Sequence, residues 1–269
     1  MANDRLQSEV EVATGLILDM AYTANKGHIG SALSVVEIVM VGLEFTRGLG
    51  TDSINRDRFV LSKGHAATAL YAGLSAKGIL DAADLATYCA PKTLLGTHPL
   101  TQVVGIDFAT GSLGQGISFA TGAALAGRLR NDGSAVTCIL SDSELDEGST
   151  WESALIAAHL ELGNLTVALD FNQQQAMGFT KDVISLEGVP SAWQKIGWEV
   201  IDCDGHDVDA LAAAFAAARD STRPTLLVCH TKAGHGVDFM EGKVEWHYLP
   251  MTDDQYESAK GQLVKRARR

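Results

Sequence analysis

The stretch Ala135–Asn172, AVTCILSDSELDEGSTWESALIAAHLELGNLTVALDFN, decides the fold. AVTCIL (Ala135–Leu140) is a short apolar run ending in polar Ser141 and Asp142, the pattern of a buried parallel strand that runs into a functional loop. From Ser149 to Leu162 apolar residues recur as Trp151, Leu155, Ile156, Ala158 and Leu162, a helical period, and Gly163 follows where a helix C-terminus favours glycine. TVALDF (Thr166–Phe171) is then the next strand. A β-α-β unit makes its strands parallel and brings their C-terminal ends to one edge of the sheet, where open α/β sheets bind ligands. Asp142 and Asn172 both lie just past those ends. One carboxylate and one amide oxygen are hard ligands of the kind Mg²⁺ or Ca²⁺ takes, with water and ligand phosphate completing the shell. The same residue types also cap turns and end strands without binding anything, so position alone leaves both roles open.

The alternation continues outward. Ser8–Asn25 has a helical pattern, EIVMVGLEF (Glu37–Phe45) is apolar enough for a buried helix, and RFVLS (Arg58–Ser62) reads as a strand opening onto the SKGH loop, with a helix over Ala66–Lys77 behind it. WEVIDC (Trp198–Cys203) and PTLLVC (Pro224–Cys229) are strands separated by the alanine-rich helix Val208–Arg219, which Asp207 is placed to cap. This pattern predicts an α/β fold, a mostly parallel sheet with helices on both faces. One large domain over residues 1–250 has ample length for a core and shows no internal repeat; residues 251–269 read as a C-terminal tail.

With 21 basic against 33 acidic side chains and a formal charge of −12, the 269-residue chain lacks the basic face that non-specific nucleic-acid binding needs. The one basic cluster, KRARR at Lys265–Arg269, reads as a solvated end. The four cysteines, Cys89, Cys138, Cys203 and Cys229, have no metal-type spacing, and Cys138 and Cys229 fall in apolar strands as buried reduced thiols. The first residues lack a basic region followed by a continuous apolar stretch, so no secretory signal is expected, and no run reaches the roughly 18 apolar residues of a membrane span. The expectation is a cytoplasmic protein.

GSLGQG (Gly111–Gly116) reverses the glycine spacing of the dinucleotide fingerprint, which argues against an NAD site. Glycines leading into a helix near Gln115 allow close approach of a ligand, and helix N-termini favour anions; tight helix-to-strand packing accounts for them equally. Of the eight histidines, His28, His65, His98 and His247 lie in motif-like segments. His159 is expected to pack against the sheet, and His206, in CDGHD, to belong to a loop or cap.

These segments resemble the transketolase family. Asp142 and Asn172 resemble its thiamine-diphosphate motif, GDG with a later asparagine, here spelled SDS. GHIGSALS (Gly27–Ser34), RFVLSKGHAATALYA (Arg58–Ala72), GTHPL (Gly96–Leu100), GSLGQGISFATGAALA (Gly111–Ala126) and VEWHYLP (Val244–Pro250) resemble transketolase segments in transketolase order, and together they match the family's N-terminal, diphosphate-binding domain. The resemblance implies thiamine diphosphate with Mg²⁺ or Ca²⁺, held by Asp142, Asn172 and the Gln174 carbonyl. It places His65, Gly111, Leu113, Ser143 and His247 along the cofactor. It places His28, His65, His98 and His247 around the reaction centre and substrate channel, hydrogen-bonding sugar hydroxyls and moving protons. Glu147 matches an interface glutamate that communicates with the partner's cofactor glutamate, although the electrostatics of a helix N-terminus explain an acid there as well.

In the family a glutamate from a pyrimidine-binding domain activates the cofactor, and no such domain is found between Met1 and Arg269. The expectation is the N-terminal subunit of a two-component transketolase, inactive alone. Its partner in a heterotetramer would be a C-terminal transketolase subunit, and the pair would move a two-carbon ketol unit from a ketose to an aldose. Departures are the serines at 141 and 143 in place of glycines, and Ser112 where proline is usual. They bear on ordinary pentose-phosphate activity more than on cofactor binding, and fit a specialised sugar, amino or deoxy, in secondary metabolism. Two other readings stay open at this level: a non-catalytic interaction protein that kept the fold, and the E1 α subunit of a 2-oxoacid dehydrogenase, from which SKGHA and GHIGS differ.

Overall fold

A computed structural model describes residues 2–266. The chain runs α1 (Ala2–Thr23), α2 (Ile29–Glu44), β1 (Arg58–Leu61), α3 (Ala67–Ala76), α4 (Ala82–Leu85), α5 (Gln115–Arg130), β2 (Val136–Ser141), α6 (Gly148–His159), β3 (Leu165–Phe171), a hairpin of β4 (Gln174–Gln175) and β5 (Gly178–Phe179), α7 (Thr180–Val183), α8 (Val189–Ile196), β6 (Glu199–Asp204), α9 (Val208–Arg219), β7 (Thr225–His230) and α10 (Asp253–Arg266). The main sheet is five-stranded and wholly parallel, in the order β1-β2-β3-β7-β6.

Each face of the sheet builds its own core. On one side Ile139, Ala168 and Leu227 meet α1, α2, α3 and α9; on the other Cys138, Val167 and Val228 meet α5, α6 and α8. Two faces covered by helices explain why the strands are almost uniformly apolar. Helix α2 is buried from Ile29 to Leu43, as expected of a helix apolar all round and sandwiched between sheet and outer helices. Each large aliphatic side chain fully buried there contributes about 1.5–3 kcal/mol.

The chain order puts β6 at the far edge and returns β7 between β3 and β6. Right-handed crossovers in the two directions leave α8 and α9 on opposite faces. Such a reversal opens a crevice at the C-terminal strand ends.

Helix α9 and its cap form as predicted, the Asp207 carboxylate accepting from the amides of Asp209 (2.8 Å) and Ala210 (3.1 Å). Helix α6 differs from its reading. It stops at His159, and the left-handed residue after it is Glu161 (φ 49°), not Gly163. Gly163 serves a close approach instead: a Cβ there would stand 2.7 Å from the Thr222 carbonyl carbon. The core face of α6 is small, Thr150, Ser153, Ala154 and Ala157, because the helix packs closely on α5 and α8. Leu155 and Ile156, read as part of the apolar stripe, are 53% and 52% exposed. His159 is exposed rather than packed on the sheet.

The segment read as a tail from residue 251 holds α10, which docks on α1. Tyr22 and Tyr256 stack with centroids 4.1 Å apart, Lys260 Nζ bonds Asp19 at 2.7 Å, and Ala259 is fully buried. Of the basic cluster Lys265–Arg269, the residues after Arg266 lie outside the described residues.

Candidate active site

β2 ends at Ser141 and hands Asp142 to a 3-10 turn, Asp142–Asp146. Asp142 is 1% exposed, and neither carboxylate oxygen has a hydrogen-bond partner. Burial, with Asp170 nearby, raises its pKa well above the ordinary carboxylate range; Lys63 and the amides of Gln173 and Gln174 oppose this, the amides without closing hydrogen bonds. β3 delivers Asn172, whose Oδ1 accepts from the Gln174 amide (2.9 Å) and whose Nδ2 donates to Ser34 Oγ (3.0 Å) and Asp170 (3.2 Å). Gln173 between them has φ 61°, a left-handed conformation that non-glycine residues seldom adopt and that here turns the chain into the β4–β5 hairpin.

This arrangement fits a hard divalent cation. A buried carboxylate with both oxygens unpartnered costs several kcal/mol as an ion, a cost a cation would offset. Asn172 Oδ1 keeps a free lone pair, and Gln174 faces the same pocket.

Beside it lies a carboxylate that is fully satisfied. Asp170, 0% exposed within β3, accepts from Ser34 Oγ (2.7 Å), Thr231 Oγ1, Asn172 Nδ2 and Lys63 Nζ. Glu144, also 0% exposed, accepts from the amides of Ser141 (3.0 Å) and Gly114 (3.1 Å) and from Ser62 Oγ and Ser141 Oγ (3.2 Å), tying the Asp142–Asp146 turn to the glycine loop and to the end of β1. Burial raises its pKa and those donors restrain it. None of Lys63, Asp170 and Glu144 stood out as a site residue in the sequence. The signals were there: an acid inside the apolar run TVALDF, and the S-x-x-E of a capping box at Ser141–Glu144, which the structure forms.

The histidines converge from four segments. His28 precedes α2 with φ 65° and donates its amide to the His247 carbonyl (3.0 Å), which fixes the two loops together. The rings of His28, His65 and His247 lie 5.2–5.5 Å apart in every pairing. His98 completes the group electrostatically, acting on both His28 and His65, and its segment is held by Tyr71, which donates to the carbonyls of Gly96 (3.0 Å) and His98 (3.1 Å). Burial first, then Lys63 and neighbouring rings, lowers the pKa of His28, of His65 strongly, and of His247 to about 4; burial alone lowers His98. All four are therefore neutral imidazoles near pH 7, acceptors and bases rather than cations.

Asp142 abuts a pocket that Ser143, Asn172, Gln174, His65 and His247 line together. Ser143 Oγ lies 3.3 Å from Ser141 Oγ. Gly111, exposed, and Leu113, half-buried, lie outside that lining. Their loop is anchored by Thr110, which donates to the Leu61 carbonyl at 2.7 Å. Glu147 is exposed at the α6 N-terminus against Gly114 and does not join the histidines. His206 does lie in a turn: its Nε2 accepts the Lys232 amide (2.9 Å), so Nδ1 carries the proton toward Glu37 (3.2 Å). A roomier surface cavity bordered by Arg128, Asn164 and Arg219 opens near the N-terminal strand ends and contains none of the site residues.

Over residues 6–266 the chain matches the family described as the thiamine diphosphate binding domain of transketolase. It is 37% identical over 267 residues to the 6-deoxy-6-sulfo-D-fructose transketolase subunit SqwG of Clostridium sp. (strain MSTE9), covering 97% of this chain and 96% of that one. To an apulose-4-phosphate transketolase subunit of Phocaeicola vulgatus it is 33% identical over 270 residues, covering 99% and 96%. A mutant transketolase of Pichia stipitis superposes with a TM-score of 0.91 at 31% identity, covering 97% of this chain but 41% of that one. The transketolase of Campylobacter jejuni gives 0.90 at 28% identity, with 97% and 43% covered.

Proposed function

This chain belongs to the transketolase family through its thiamine diphosphate binding domain, and on that premise we propose that it is the diphosphate-binding subunit of a two-component transketolase. It moves a two-carbon ketol unit from a ketose to an aldose, together with a second chain that carries the pyrimidine-binding and C-terminal domains. The observation that carries the site assignment is Asp142, a buried carboxylate with both oxygens unpartnered beside Asn172 and Gln174.

Asp142, Asn172 Oδ1 and the Gln174 carbonyl would hold Mg²⁺ or Ca²⁺, which in turn holds the diphosphate. Thiamine diphosphate, when bound, would supply a nucleophilic carbon for chemistry at a ketose carbonyl. His65 and His247 stand where the diphosphate and the reacting carbons meet. Kept neutral by burial, they and His28 accept hydrogen bonds or protons from sugar hydroxyls. His98 lines the approach, and Gly111, Leu113 and Ser143 flank the cofactor.

Glu147 precedes α6 as its N-cap, Leu155 and Ile156 are exposed on that helix, and Met177, Phe179 and Ile184 add exposed apolar surface in the hairpin and beyond it. Together with the word "subunit" in the names of both relatives, this supports docking of the partner chain in a heterotetramer. Those relatives act on a sulfonated deoxyketose and on apulose 4-phosphate, which supports an unusual sugar or sugar phosphate as substrate here. Among the described residues no helix is long and apolar enough to cross a membrane, and we place the enzyme in the cytoplasm.

The test is to combine this chain with a chain carrying the pyrimidine-binding domain from the same source. Ketol transfer should require both chains, thiamine diphosphate and a divalent cation. Transfer by this chain alone, or transfer unaffected by removing the cation with EDTA, would contradict the assignment.

A further inference from the structure

Cys203 is the next-to-last residue of β6 and Cys229 of β7, and the two are register partners. Register partners in a parallel sheet point to the same face, and here the Sγ atoms lie 3.8 Å apart. Both are free thiols; Cys229 is fully buried, while Cys203, on the edge strand, is half-buried. The same row continues from Cys229 through Asp170 to Ser141. The pair therefore sits one strand away from the carboxylate that holds Lys63, Ser34 and Thr231.

We propose that a hydroperoxide converts Cys203 and Cys229 into a reversible disulfide that switches off the cofactor site. The switching half rests on the transketolase reading; the chemical half does not. Cys203 thiolate attacks a peroxide oxygen, the O–O bond breaks, and the leaving oxygen takes a proton, giving a sulfenic acid on Cys203. Cys229 then attacks that sulfur, the S–O bond breaks, and the departing hydroxide leaves as water with the Cys229 proton. Two thiols are oxidised by two electrons and one hydrogen peroxide is reduced to two waters. The roles follow from surroundings. The hydrogen bond between the thiols draws Cys203 below its ordinary pKa and, with burial, pushes Cys229 up.

Closing the bond contracts the sulfur separation to about 2.0 Å and draws the ends of β6 and β7 together. There is no slack to absorb this. Gly205, two residues past Cys203, approaches so closely that a Cβ on it would lie 2.3 Å from Thr231 Cγ2. Contraction therefore displaces Thr231 from Asp170. Half-buried Cys203 on the edge strand leaves the cross-link open to attack by an external thiol, which makes it reversible.

The experiment treats this chain, with its partner chain present, with hydrogen peroxide, blocks free thiols with iodoacetamide, and maps peptides before and after dithiothreitol. The expected result is a Cys203–Cys229 cross-link that dithiothreitol reverses, with ketol transfer lost and regained in step. Cys203→Ser and Cys229→Ala should form no cross-link and keep activity under peroxide. Cys203→Ser, half-buried, serves alone if thermal melts show that Cys229→Ala does not fold. Oxidation of Cys89 while Cys203 and Cys229 remain thiols, or a cross-link that leaves activity unchanged, overturns the proposal. If the reduced enzyme transfers no ketol unit, the transketolase reading fails separately; thiamine diphosphate binding by reduced and cross-linked chain then decides the switch.

Discussion

Lys63 Nζ and Asp170 form an ion pair with side chains only 2% and 0% exposed, one from the loop after β1 and the other from within β3. Neither strand adjoins the other in the sheet, so the pair spans β2 and closes the floor of the site. Removing one partner strands a buried charge, at a cost of about 3–5 kcal/mol. Lys63→Met and Asp170→Asn should each lower the urea midpoint strongly, and the double variant should recover part of the loss. Additive losses would show that the pair is not coupled.

Asp142 predicts the opposite sign. With no partner for either oxygen, its charge destabilises the metal-free chain. Asp142→Asn removes that charge and should stabilise the metal-free form, most at high pH where the native carboxyl is ionised. On the proposed ligand set, Mg²⁺ or Ca²⁺ with thiamine diphosphate should raise the melting temperature of the native chain through binding linkage, and Asp142→Asn should abolish that rise. A variant that still responds to the cation would move the ligand set elsewhere.

Burial holds His247 at a pKa of about 4 when folded, against about 6.5 when unfolded. The unfolded chain then binds more protons between those values, so this contribution to stability is present above about pH 6.5 and is lost as pH falls toward 4. His65 and His28 add in the same direction. Unfolding free energies measured from pH 8 to pH 4 should decline through that window, and His247→Gln should shallow the decline. An unchanged slope in the variant would assign the effect to other groups.

Two glycines of α5 separate packing from propensity. A Cβ on Gly116 would meet Ser62 Oγ at 2.4 Å and Ser62 Cα at 2.7 Å, whereas one on Gly122 meets nothing within 4 Å. Gly116→Ala should cost about 1–3 kcal/mol through overpacking and weaken cofactor binding by pushing on the strand end before Lys63. Gly122→Ala should stabilise by up to about 1 kcal/mol through helix propensity. Thermal melts of the two variants read the difference directly.

The order of strands and helices, the parallel sheet, and the delivery of Asp142 and Asn172 to one edge were legible in the chain itself. Hydrophobic period and the geometry of β-α-β units are local rules, and residues such as Asp207 obey them without help from distant contacts. The family-like segments likewise marked His28, His65 and His247, which the structure brings together. What tertiary structure alone decided is which groups balance one another. That Asp170 is satisfied and Asp142 is not depends on Lys63, Ser34 and Thr231 arriving from three other segments. That Leu155 and Ile156 face outward depends on α6 packing through its small residues against α5 and α8. Apolar period records that a helix has two sides; which side is buried, and which buried charge keeps a partner, are set by neighbours far away in sequence, because burial and charge pairing are sums over everything nearby in space.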